Sequence, residues 1–325
     1  MKTLDYCRHF YQHYFTKYDR ILFLLVFINT LISCIHILTN VLTNNYSGTS
    51  FVHVYHFMIL PPTLALVFLS MYLRQHSPNI ALVNHTYGFL FTMICSFAIS
   101  DTAIQLTPFH PIDQHLVSFD QFFGVNTVSL LQWTHLHPLT QQWLNFCYFS
   151  LMPELLFTPL IISLLRERQT CRIYLISALI GYMLIQNMYY FFPTVAPAGI
   201  FHSHLFLSDQ YNCTIRFYKI HHHLPVSINS ATCLIAFPSP HVFCACLIWY
   251  AYKNNTWLFI PIGIINLSMI AATVLLGYHY FADVLAGISV ACLSITVTHS
   301  IDKRVCQDPL TYNQLHAQSK KSCLI

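Results

Sequence analysis

The run Trp257-Leu258-Phe259-Ile260-Pro261-Ile262-Gly263-Ile264-Ile265-Asn266-Leu267-Ser268-Met269-Ile270-Ala271-Ala272-Thr273-Val274-Leu275-Leu276 contains no charged side chain. At 1.5 Å per residue it makes a helix about 30 Å long, the thickness of a bilayer's hydrocarbon core. Backbone N–H and C=O groups at that depth find no water, so the crossing form is a helix, which bonds them internally. Outward from this run the pattern repeats. A further apolar stretch follows at 280–300, and six precede it, at 21–43, 54–73, 84–106, 142–165, 173–193 and 236–252. The chain is 55% hydrophobic and only 8% charged, against about 25% charged in a soluble domain. So few charges cannot cover a water-facing surface. The sequence therefore predicts an all-α integral membrane protein with eight transmembrane helices.

Lys and Arg set the orientation, because cytoplasmic segments are enriched in both. With the N-terminus inside, the inner segments hold Lys2, Arg8, Lys17, Arg20, Arg74, Arg166, Arg168, Arg172, Lys253, Lys303, Arg304, Lys320 and Lys321, leaving only Arg216 and Lys219 outside. Both termini are thus expected in the cytoplasm. The net charge of +4 reports this orientation and not nucleic-acid binding. The expected organisation is a cytoplasmic tail (1–20), two accessory transmembrane helices (21–83), a six-helix unit (84–300) with outer loops at 107–141 and 194–235, and a second cytoplasmic tail (301–325). The 21–43 stretch exceeds the ~7–15-residue core of a cleaved signal, so it reads as a span. Loop 107–141 reads as one or two helices lying on the outer leaflet. Cys213 and Cys233 share an outer loop, where a disulfide is expected. No Cys-x-x-Cys pair occurs, and no metal or cofactor is implied.

Polar groups gathered at one membrane depth mark function, since they are expensive there. Three clusters qualify, all on the outer face. Ala236-Phe237-Pro238-Ser239-Pro240-His241 opens the sixth span. Pro and Ser suit a helix start, whose free N–H groups and partial positive charge favour phosphate. Gly277-Tyr278-His279-Tyr280-Phe281-Ala282-Asp283 lies at the turn into the eighth span. There His279 and Asp283, four residues apart, share one helix face. Asp283 can accept a hydrogen bond from one ring nitrogen of His279 and leave the other with its lone pair outward, as a nucleophile needs. Tyr190-Phe191-Phe192-Pro193-Thr194-Val195-Ala196-Pro197 closes the fifth span, where two prolines break the helix.

The order Phe-Pro-Ser-x-His, then His-Tyr-x-x-Asp one helical hairpin later, resembles the type 2 phosphatidic acid phosphatase superfamily. The Phe192-Pro193-Thr194-Val195-Ala196-Pro197 segment resembles its inositolphosphotransferase (aureobasidin-resistance) branch. So does the stretch from Pro111-Ile112-Asp113 through Asp120, Gly124 and Pro138 to Tyr148. The resemblance covers about residues 84–300 and implies a six-helix catalytic bundle. By position, His279 resembles the nucleophile that forms a phosphohistidine, Asp283 its orienting carboxylate, His241 the general acid, and Ser239 a phosphate hydrogen-bond donor. The substrate implied is a membrane lipid phosphate ester, with water or an alcohol as acceptor.

The chain departs from that pattern in its basic residues. The superfamily's phosphatases carry a Lys and an Arg in a first motif that is missing here, and an Arg six residues before the nucleophile, where Thr273 stands. Pro240 offers no N–H to a phosphate. Arg216 and Lys219, the basic side chains of the outer face, are therefore expected to fold over the phosphate, with His202, His204 or His221, His222 and His223 as helpers. Blander readings stand beside these. Ser239 also reads as a helix cap, the His221–His223 run as composition, and Asp113 and Asp120 as loop caps. Glu154 lies in mid-span and needs a partner that the sequence does not name. Hydrolysis and headgroup transfer both fit the motifs. The rival classes are a lipid transporter, whose inverted repeats and mid-membrane helix breaks do not occur here, and a catalytically dead scaffold.

Overall fold

The computed structural model describes residues 16–44, 78–222 and 235–307, together with 65, 69 and 224. Among these residues the ordered elements are all helices: α1 (Lys17–Asn44), α2 (Pro78–Gln105), α3 (Asp113–Phe122), α4 (Thr127–Leu136), α5 (Pro138–Leu164), α6 (Arg168–Phe191), α7 (Pro197–Ile200), α8 (Ser208–His221), α9 (Pro240–Ala251), α10 (Thr256–Leu275) and α11 (Phe281–Gln307). Their ends follow local chemistry. The side chains of Asn126, Ser239 and Asn255 accept from backbone N–H groups at the starts of α4, α9 and α10. Pro138 and Pro240 open α5 and α9, where a missing N–H costs nothing.

Six of these helices, α1, α2, α5, α6, α10 and α11, are long and apolar enough to cross a membrane. The expectation of eight spans is met in part. The 54–73 stretch lies almost wholly outside the described residues. The 236–252 stretch forms α9, a helix of 12 residues and so only about 18 Å long. Pro238, Ser239 and Pro240 delay its start. A short helix survives here because protein surrounds it. α9 packs against α5, α6, α10 and α11, and Phe243, Ala245, Leu247 and Ile248 are buried in the main core with Leu175, Leu179 and Cys147.

α1 shows how the accessory part attaches. Leu24, Phe27, Leu31, Ile35, Leu38 and Leu42 make an exposed apolar stripe at helical spacing, while Asn29, Ser33, His36 and Asn40 are buried on the other face. That inverts a soluble helix and suits one with lipid on its outer side. Asn29 Nδ2 donates to Ser96 Oγ and Ser100 Oγ at 2.9 Å each, and Asn40 Nδ2 donates to the Ala103 carbonyl at 2.6 Å. Such bonds between membrane helices contribute about 0.6 kcal/mol apiece. The partner of Glu154 is now visible. Its carboxylate accepts from Ser150 Oγ at 2.8 Å and from Asn266 Nδ2 of α10 at 2.6 Å.

The two ends of the bundle hold different polar clusters. At one end meet the starts of α1 and α6 and the tail of α11, where Tyr18 and Gln169 both donate to Asp302. At the other meet the ends of α2, α6 and α10 and the starts of α9 and α11, covered by α3, α4, α7 and α8.

Candidate active site

The site forms where α9 and α11 begin. Gly277 turns the chain at the end of α10 with φ of 75°, a conformation that disfavours any Cβ. The Thr273 carbonyl then accepts from both Tyr278 N and His279 N at 2.9 Å. Thr273 thus shapes the turn through its backbone, and its hydroxyl donates within α10 to the Ile270 carbonyl. α11 crosses α9 so closely that a Cβ on Gly287 would lie 2.7 Å from the Ser239 carbonyl oxygen. Ser239 N in turn donates to the Asp283 carbonyl at 3.1 Å. These contacts bring the two histidine motifs, about forty residues apart in sequence, into one unit.

His279 is 3% exposed and Asp283 fully buried. His279 Nδ1 donates to two acceptors, the Ala236 carbonyl at 3.0 Å and Asp283 Oδ2 at 3.3 Å. Asp283 Oδ2 also accepts from Tyr280 N at 2.9 Å. The orienting carboxylate of the sequence reading therefore shares its task with a backbone oxygen that lies nearer. His279 Nε2 faces His241 Nδ1 at 3.2 Å, and Tyr148 Oη lies 3.2 Å from His241 Nε2. Burial pushes the His279 imidazole down to about 4, keeping it neutral near pH 7.

Two buried carboxylates from α3 brace this turn. Asp120 accepts from Phe281 N at 2.8 Å and Ala282 N at 2.9 Å, so it caps α11 from a distant part of the chain. Asp113 accepts from Tyr280 Oη at 2.9 Å and from Val195 N at 3.0 Å, tying the His279 turn to the Pro193–Pro197 segment. Burial, opposed by those two hydrogen bonds, raises Asp113 to about 6. Their reading as loop caps is right in kind for Asp120, but the cap is long-range. Local spacing carries no signal of it.

The remaining sequence candidates are placed as follows. Ser239 is fully buried, and its Oγ accepts from Val242 N at 3.3 Å, the bond of a helix cap. Arg216 lies on α8 and donates from Nη2 to Gln105 Oε1 at 3.0 Å; burial lowers its pKa. Lys219 is exposed one turn further on. α8 itself is anchored to this end of the bundle, since Gln210 Nε2 donates to the Leu276 carbonyl at 2.9 Å and Thr214 Oγ1 to the Val195 carbonyl at 3.1 Å. The structure thus unites His241, His279, Asp283 and Ser239, and places Arg216 against the end of α2. His221 Nδ1 donates to the Phe217 carbonyl of its own helix at 2.9 Å. Among the described residues no cluster of His, Cys, Asp and Glu suits a metal ion. His223 and Cys233, the latter the expected disulfide partner of Cys213, lie outside the described residues. Sequence reasoning assigned no role to Tyr148, Tyr280 or the Ala236 carbonyl.

Residues 114–297 match the family model of the PAP2 superfamily. No curated protein and no solved structure matches the chain.

Proposed function

Because the chain belongs to the PAP2 superfamily, whose members are generally phosphatases or phosphotransferases, we propose that it acts on a lipid phosphate ester through a phosphohistidine at the extracytoplasmic face of a membrane. The observation that carries this reading is the pairing of His279 Nε2 with His241 Nδ1 at 3.2 Å, with His279 Nδ1 bound from behind. A phosphoryl group entering between the rings meets a bare imidazole nitrogen on one side and a proton carrier on the other. His279 Nε2 attacks phosphorus and the P–O bond to the lipid breaks. His241 delivers a proton to the departing oxygen. His241 then takes a proton from the acceptor, which attacks the phosphohistidine and restores His279.

Water as acceptor makes the enzyme a phosphatase. An alcohol makes it a transferase of the inositolphosphotransferase kind. One observation favours the second: Asp113 and Tyr280 couple the Pro193–Pro197 segment, which resembles that branch, directly to the His279 turn. Arg216 and Lys219 remain the cationic groups of this end, and we assign them to the lipid phosphate, Arg216 by exchange of its Gln105 partner. Charge supports that face, since Lys17, Arg20, Arg166, Arg168, Arg172, Lys303 and Arg304 belong to the opposite end of the bundle and Lys and Arg favour the cytoplasm.

Purified protein offered a panel of lipid phosphates, with phosphate release and lipid products both followed, tests the reading. Acid quenching is expected to trap phosphate on His279, and activity is expected to survive a chelator. Turnover by His279→Ala at the wild-type rate would overturn it.

A further inference from the structure

The hydrogen-bond partners around the two histidines assign their protons. The Ala236 carbonyl only accepts, so His279 Nδ1 carries the hydrogen and the neutral ring's Nε2 is bare. His241 Nδ1, facing that bare nitrogen, must then be the donor. That leaves His241 Nε2 as an acceptor, and the group beside it, Tyr148 Oη, must donate. One backbone carbonyl thus sets a directed chain, Tyr148 to His241 to His279 to Ala236. The tyrosine is held for this task. Its ring stacks on Tyr278, with centroids 4.1 Å apart and planes within 9°, and on His241 at 5.0 Å and 23°. Tyr148 comes from α5 and Tyr278 from the turn that carries His279, so the stack locks α5 to both histidine motifs.

We propose that Tyr148 is a positioning residue for His241, holding the ring so that Nδ1 points at the phosphoryl transfer path throughout the reaction. This rests on the reading of His241 as the general acid. In the structure the Tyr148 hydroxyl donates to His241 Nε2. When an anionic phosphate lies between the rings, His241 takes up a proton and becomes imidazolium. Both ring nitrogens then carry hydrogens, and the Tyr148 oxygen turns from donor to acceptor at Nε2. A hydroxyl does this by rotating its O–H, without moving a heavy atom. His241 next passes the Nδ1 proton to the leaving oxygen as the P–O bond breaks and the His279 N–P bond forms. In the second half the acceptor's proton returns to Nδ1, and the proton taken up at the outset is released to solvent as the product leaves. Tyr148 neither gains nor loses a proton over the cycle.

The test uses Tyr148→Phe in the full-length protein, which keeps the stack and removes the hydroxyl. Leaving-group release is measured in the first turnover, on a lipid phosphate and on 4-nitrophenyl phosphate. A neutral hydrogen bond of this kind is worth about tenfold in rate. Tyr148→Phe is expected to lose about tenfold on the lipid phosphate, whose alkoxide needs a proton. It should stay within about twofold of wild type on the aryl ester, whose phenolate leaves without one. In a His241→Ala background the same substitution should cost nothing more, because its only route to the chemistry is gone. Equal losses on both esters, or additive losses in the double variant, would overturn the proposal. A misfolded variant is recognised by failure to form the phosphoenzyme from the aryl ester, and Tyr148→His, which restores a polar group, then serves as the second variant with the same two esters. The function itself fails by a different result, normal turnover in His279→Ala.

Discussion

The two ends of the helical bundle both bury carboxylates, and they satisfy them in different ways. At the basic end Asp302 accepts from Tyr18 Oη at 2.6 Å and from Gln169 Nε2 at 2.7 Å, with the Arg172 guanidinium 3.9 Å away and stacked over the Tyr18 ring. Asp19 there meets His85 at 2.5 Å. Side chains of α1 and α6 close on Asp302, and one from α2 closes on Asp19. At the histidine end Asp113 and Asp120 accept chiefly from backbone N–H groups of Val195, Phe281 and Ala282. Among the described residues the ion-pair partner of Asp283 is His279, a group that burial keeps neutral. The first arrangement uses charge to hold helices together. The second uses acidic side chains to hold backbone in place, and burial keeps the His279 imidazole uncharged.

The largest expected contrast comes from removing one group at each end. His279→Ala should lower turnover at least about 10⁴-fold, the scale seen when a covalent nucleophile is lost, with little change in melting temperature. Asp302→Asn should do the reverse. It should lower stability by roughly 2 kcal/mol, because Tyr18, Gln169 and Arg172 lose an anionic acceptor, while kcat stays within about twofold. Thermal denaturation in detergent and steady-state rates on the same preparations check both. A large rate loss in Asp302→Asn would mean that the two ends are coupled.

Asp120→Ala should fall between them. It removes the cap from α11, worth about 1–2 kcal/mol, and it frees the segment that positions Asp283. A loss of stability and about a tenfold fall in kcat are expected together. Intact kcat in a destabilised Asp120→Ala protein would show that the brace is purely structural.

The smallest effect is a pH dependence that nearly cancels. The folded pKa of Asp113 is raised to about 6 from 3.8. Between those values the folded state binds the proton that the unfolded state has released, so this term lowers stability as pH rises. The folded pKa of His279 is lowered to about 4 from 6.5. In that window the unfolded state binds the extra proton, so this term raises stability as pH rises and is complete above 6.5. The two slopes oppose each other over nearly one range. Asp113→Asn removes the first term alone, so the stability of the variant relative to wild type should climb with pH between about 4 and 6 by up to about 1.4 kcal/mol per unit. Melting temperature against pH, in both proteins, measures the difference. A difference that does not change over that range would remove Asp113 from this account.

The membrane class of this protein was written in the 257–276 run and its fellows, because apolar length against bilayer thickness is a local property that each segment meets alone. The histidine motifs were legible for a similar reason. Pro238-Ser239-Pro240 announces a helix start; His279, however, precedes α11, so the turn and not a shared helix face brings it to Asp283. Local reading failed where partners come from afar. It made α9 a full span, when only its enclosure by four helices lets 12 residues serve. It could not name Gln105, 111 residues away, as the side chain that Arg216 meets in the fold. It saw Asp120 as a cap without seeing that the helix capped is α11, and it named Tyr148 within a resembling stretch without giving it a role. The sequence by itself determined that the chain is built of helices long and apolar enough to cross a membrane, and the family in which its histidine motifs stand. Tertiary structure alone decided which carbonyl orients His279, which carboxylate holds its turn and which hydroxyl faces His241. Those are contacts between segments about forty to 170 residues apart; no pattern along the chain encodes their distance, and only packing brings them within a hydrogen bond.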